Sequence, residues 1–108
     1  MSRRDDERVA DILEAASQIS ELIELGHDAW DKDRIRQLAT ERLLEIIGEA
    51  ANTLSEEFRA RHPGIPWRDI IGLRIVLAHH YHRVDPGQVW IIATTEVPRL
   101  IQDLHPEG

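Results

Sequence analysis

At 108 residues the chain has room for one domain, whose core can bury roughly two thirds of the surface that the unfolded form would expose. Hydrophobic residues at 42 % beside charged residues at 31 % exclude disorder throughout, and an aromatic share of 5 % is low, as in many helical proteins. A formal net charge of -7 excludes gripping long nucleic acid by bulk phosphate neutralisation, so any nucleic-acid chemistry has to be local.

Lysine occurs once, at Lys32, and the other cationic side chains are arginines, which suit bidentate contacts with phosphate or carboxylate. Without cysteine there is neither a disulfide framework nor a thiolate metal site, which is compatible with a reducing cytoplasm. The start, Met1 to Arg8, is not followed by an apolar signal core, and no apolar run approaches the ~20 residues of a membrane span. The expectation is a soluble, untargeted, cytoplasmic protein without membrane contact.

In chain order, Val9, Ile12, Leu13, Ala16, Ile19, Leu22 and Ile23 recur at three- and four-residue steps and predict one amphipathic helix from about Asp5 to Leu25. Gly26 stands where a left-handed cap would end it, and His27 to Asp33 reads as a polar connection. Asp33 is a candidate N-cap for a second helix that runs to near Arg61. Its small residues Gly48, Ala50 and Ala51 predict a tight crossing with another helix, whereas Glu45 and Glu49 read as solvated carboxylates.

His62-Pro63-Gly64-Ile65-Pro66 forces a connection, and Pro66 suits the first turn of a third helix beginning at Trp67, with Gly72 as a point where it breaks or kinks. Asp85-Pro86 is an N-cap followed by a first-position proline. The last helix carries Val89, Trp90, Ile92, Ala93, Val97, Leu100, Ile101 and Leu104, and Pro98 is expected to kink or restart it. With no period-two alternation and no repeats, the fold class is an all-α, up-and-down bundle of four or five helices.

The segment from Leu73 to Asp85 concentrates the chemistry. Seven ionisable side chains surround Ile75-Val76-Leu77-Ala78, a wholly apolar run that should be buried and hold its polar flanks against the core. Histidine moves protons near neutral pH and arginine holds phosphate oxygens, so Arg74 and His79 together suit phosphodiester cleavage. With RNA the 2′-hydroxyl supplies the nucleophile, and no metal is needed. An ideal helix separates positions 74 and 79 by about 140°. Either the helix is distorted after Gly72, or Arg74 wraps round it, or a second copy completes the pair across a two-fold axis. By spacing alone, an exposed arginine with a helix-terminal histidine is the commoner arrangement. His79 and His82, with His80 near, could instead ligate zinc or nickel, but no acidic or cysteine ligand accompanies them.

Ile65-Pro66-Trp67-Arg68-Asp69-Ile70-Ile71-Gly72-Leu73-Arg74, then His79-His80-Tyr81, Val84-Asp85 and Val89-Trp90, resemble the HepT-like members of the HEPN superfamily. Their signature is an arginine, four residues, a histidine, one residue and a tyrosine. The resemblance spans nearly the whole chain, including Glu41-Arg42 and Gly48-Glu49-Ala50, and implies a single HEPN domain over residues 1–108. It further implies the toxin of a type VII-like toxin-antitoxin module, a homodimeric, cofactor-free and metal-independent endoribonuclease acting on cellular RNA at the subunit interface. Arg74 and His79 fall on the family's catalytic pair. Tyr81 falls on the tyrosine that a cognate minimal nucleotidyltransferase, the antitoxin, modifies with AMP. The residue after the arginine is usually polar in the family, commonly asparagine, and here it is Ile75. That departure supports the alternative of a catalytically weak or inactive helical dimer that serves as binding partner and modification substrate of a nucleotidyltransferase.

Overall fold

The first helix, α1 (Arg3–Ile23), forms because Ile12, Ala15, Ala16 and Ile19 repeat on one face and are buried together, while Asp6 and Glu7 in the first turns face solvent. The computed structural model describes residues 3–79 and 84–104, and all regular structure among them is helical. The chain turns at Gly26, whose φ of 97° and ψ of 171° lie in a region essentially reserved for glycine. Its amide donates to the Ile23 carbonyl at 3.0 Å.

The stretch expected to be a plain connection contains a short helix, α2 (His27–Asp31). What sequence periodicity does not reveal is that Trp30 is fully buried here, its indole Nε1 donating to Thr40 Oγ1 at 3.0 Å and its ring tilted against Trp90 at 5.3 Å. Gln37 closes the far end by donating from Nε2 to the carbonyls of Trp30 and Asp31. Asp33 caps α3 (Arg34–Thr53) as expected, its carboxylate accepting from the amides of Ile35 and Arg36.

α3 stops well before Arg61. The Asp5 carboxylate, 3 % exposed, accepts from the Ser55 amide at 2.9 Å and from Ser55 Oγ at 2.7 Å, pinning the end of α3 to the start of α1. Ser55 Oγ in turn accepts from the Phe58 amide and starts α4 (Glu56–Ala60). At the opposite end Arg36 donates to the Leu22 carbonyl, so α1 and α3 run antiparallel.

The connection through Pro63 and Pro66 leads to α5 (Trp67–His79), which packs along α3. It is a continuous α-helix, so the break expected at Gly72 does not occur. Asp85 and Pro86 open α6 (Pro86–Ile91) as expected, the Asp85 side chain accepting from the Gly87 amide at 2.9 Å. A π-helical turn, Ile92–Glu96, then leads without interruption into α7 (Val97–Leu104). α7 begins at Val97, so Pro98 lies in its first turn, where the expected restart falls. The proline's missing amide and its ring conflict with the carbonyl four residues back, and the wider turn, with Val97 N–H bonded to the Ile92 carbonyl, accommodates both. Counting residues 86–104 as one rod, the bundle has four principal helices, α1, α3, α5 and this rod, with α2 and α4 as short joints, within the expected four or five.

Two stability measurements test this reading. Asp5→Ala should lower unfolding free energy by roughly 2–4 kcal/mol, read by urea denaturation, because it removes two hydrogen bonds to a charged group and leaves the Ser55 amide without that acceptor. Glu41, half-buried on α3, has its carboxyl pushed up by burial, against a weaker downward pull from Arg34 at 3.8 Å. A raised native pKa means that protonation favours the fold: this stability is full below the usual carboxylate range and lost as pH rises through the raised value. Glu41→Gln should therefore stabilise the protein at about pH 7, and the gain should vanish on acidification through that range.

Candidate active site

α5 meets α3 through Ile70, Leu73 and Leu77, partly buried residues packed against the core. That spacing turns Ile75 and Val76 outward, so they are 50 % and 47 % exposed, and Ala78 is exposed as well. The expectation that the apolar run from Ile75 to Ala78 is buried is therefore corrected. A helix packed against its bundle along one face can bury Leu77, but it leaves its neighbours on the outer side.

Arg74 sits between these two faces. Its backbone rests on α3 at Gly48, and its side chain is partly exposed. The Nε atom is shielded from solvent and has no hydrogen-bond acceptor, and no ion pair or hydrogen bond ties the guanidinium to another described residue. A structural arginine would spend its donors on an internal carboxylate or carbonyl. Arg74 keeps them uncommitted.

His79 is placed as the last residue of α5. Because α5 is unbroken at Gly72, the distortion that could have turned positions 74 and 79 to one side is absent, and about 140° of helix separates them. Tyr81, His80 and His82 lie outside the described residues. Among the described residues no group of three or more histidine and carboxylate side chains could hold a metal ion. Glu49 is exposed, in keeping with a solvated carboxylate, whereas Glu45 is half-buried and pairs with Arg42 at 3.3 Å.

Among the described residues, Arg74 does not line the most prominent cleft. An apolar cleft of about 460 Å³ lies between α1 and the last rod, lined by Leu13, Ile19, Ala93, Val97 and Ile101 among others, and no residue of α5 lines it. No helix among the described residues is long and apolar enough to cross a membrane. The sequence signalled a tight crossing at Gly48, Ala50 and Ala51. It did not signal that the crossing partner of Gly48 is the turn bearing Arg74, because helix pairing is not written in either helix alone.

Comparison with known proteins places the chain. The profile of the family described as "Ribonuclease HepT-like" matches residues 12–106. A Methanocaldococcus jannaschii protein named "Putative RNase MJ1380" is 33 % identical over 107 residues, covering 97 % of this chain and 98 % of that one. A Thermococcus cleftensis protein named "Probable ribonuclease HepT" is 36 % identical over 101 residues, covering 93 % of this chain and 92 % of its own length. A second Methanocaldococcus jannaschii protein, named "Putative RNase MJ0127", is 36 % identical over 96 residues, 88 % of this chain and 79 % of its own. No solved structure matches significantly. With the profile spanning most of the sequence and full-length relatives at this identity, the chain belongs to the ribonuclease HepT-like family of the HEPN superfamily.

Proposed function

We propose that the protein is an endoribonuclease whose site is built by two copies of the chain, with Arg74 and His79 as its catalytic residues. The observation that carries this reading is the state of Arg74: a partly exposed arginine on an unbroken helix, its donors uncommitted among the described residues and a shielded Nε without an acceptor. The names of the relatives, RNase and ribonuclease, support the reaction class.

The chemistry requires two services. A base must take the proton of the RNA 2′-hydroxyl as its oxygen attacks the adjacent phosphorus, and an acid must give a proton to the departing 5′ oxygen. His79 and its symmetry copy divide these roles, imidazole being the side-chain type suited to moving protons at neutral pH. Negative charge grows on the non-bridging oxygens as the new P–O bond forms, and Arg74 offers it the planar, bidentate donors that an oxyanion needs. The bond to the 5′ oxygen then breaks, leaving a 2′,3′-cyclic phosphate, and the mechanism is independent of metal.

A homodimer reconciles this chemistry with the helix. Positions 74 and 79 diverge on one α5, but a two-fold axis beside the helix brings Arg74 of one copy toward position 79 of the other. Ile75 and Val76, apolar and about half exposed beside Arg74, suit a surface that a second copy covers. Tyr81 is the proposed modification residue. A cognate minimal nucleotidyltransferase acting as antitoxin would add AMP to its phenol, and the new anion next to the site would repel RNA and obstruct its entry. The toxin role in a type VII-like module and a cytoplasmic location complete the proposal.

A second reading is favoured by Ile75, whose aliphatic side chain stands where the family commonly carries a polar one. In it the protein is a catalytically weak dimer that the nucleotidyltransferase binds and modifies.

Cleavage of total cellular RNA by purified protein in EDTA decides between them. The parent should cut, and Arg74→Ala or His79→Ala should lose at least about 100-fold in rate while retaining helical content. An inactive parent would select the second reading, and mutants as active as the parent would remove the catalytic pair. Incubation with the nucleotidyltransferase and ATP should add one AMP to the parent and none to Tyr81→Phe, read by mass spectrometry, with cleavage suppressed in step. AMP found on another residue would withdraw the Tyr81 assignment.

A further inference from the structure

We infer that Gly48 is a positioning residue for Arg74, an inference that rests on the reading of Arg74 as part of the site. A Cβ built on Gly48 would stand 2.9 Å from Arg74 N, 2.9 Å from Ile70 O and 3.2 Å from Arg74 Cβ. Two of these atoms belong to the backbone and cannot rotate aside. They are also the donor and acceptor of one i to i−4 helical step, so α3 rests directly on the turn of α5 that presents Arg74.

Such a contact does more than fill space. It fixes how near α5 comes to α3 and how the Arg74 Cα–Cβ bond is rotated about the α5 axis. A long side chain amplifies any tilt of that bond at its guanidinium. A methyl group at position 48 must displace the Arg74 turn itself, and misplacing a catalytic group by about 1 Å can cost on the order of 100-fold in rate. Gly72 supplies an internal contrast. It lies on the same helix two residues before Arg74, yet a Cβ built there meets nothing within 4 Å. The same chemical change thus meets backbone contact on α3 and open space on α5.

The test compares parent, Gly48→Ala and Gly72→Ala in the full-length chain. Initial rates are measured over a range of total RNA concentrations, and the Arg74 Nε–H resonance is followed in 15N-labelled protein after assignment through Arg74→Lys. Gly48→Ala should remain helical, lose about 10- to 100-fold in kcat with KM within about twofold, and shift the Arg74 Nε–H resonance. Gly72→Ala should match the parent in all three. Should Gly48→Ala not fold alone, it is read in the Gly72→Ala chain, where the added helix propensity offsets part of the cost. Unaltered kcat, an unmoved Arg74 resonance despite lost activity, or failure to fold in both backgrounds would each overturn the inference. If the parent itself leaves RNA intact, the ribonuclease reading fails, while the resonance comparison still decides whether Gly48 sets Arg74.

Discussion

The central constraint is that α3 must serve two neighbours at once. Thr40, Leu44, Ile47, Ala51 and Leu54, at steps of four and three, form a stripe buried in the core, and burying each Leu or Ile contributes on the order of 2 kcal/mol. On that stripe the bundle stands. The approach of α5 is governed differently, by the removal of a side chain rather than its burial: at Gly48 the backbones of the two helices come nearly into contact. The Asp5–Ser55 link then holds α3 at its end against α1, so the helix cannot slide past its neighbours.

Against this well-satisfied interior, α5 is locally unfavourable. Ile75 and Val76 leave about half of their surface in water, forfeiting on the order of 1 kcal/mol each, and a shielded Nε without an acceptor costs about 1–3 kcal/mol. A bundle assembled for stability alone would have filled these positions otherwise. Concessions of this kind collect where a surface is meant to meet something, and here they lie on consecutive residues of one helix.

Much of the fold was legible because its signals are local. Asp33 and Asp85 cap helices by reaching two or three residues ahead, and the apolar stripe of α1 is a matter of spacing along one segment. Two departures involve partners distant in sequence. α3 ends early where Asp5, fifty residues away, accepts from the amide and the hydroxyl of Ser55. α2 exists because Trp30 finds Thr40 and Trp90. The burial assigned to Ile75 and Val76 followed from composition, which does not tell which side of α5 faces the core. For the candidate site, Arg74 was identified by residue type and motif, but its want of an acceptor and its seat on Gly48 emerge only when two helices are set together.

The π turn has a consequence for how the last rod is phased. Its buried positions Val89, Ala93, Val97, Leu100 and Leu104 begin with two steps of four, and on a regular helix two such steps would carry the stripe about 80° round the axis. A wider turn absorbs that surplus, as though one supernumerary residue had been let into the coil. The rod is in effect two helices in series with a phase offset between them. Its first half is turned so that Trp90 meets Trp30, and its second half packs on α1. Local irregularity is what allows one continuous segment to answer two differently oriented neighbours.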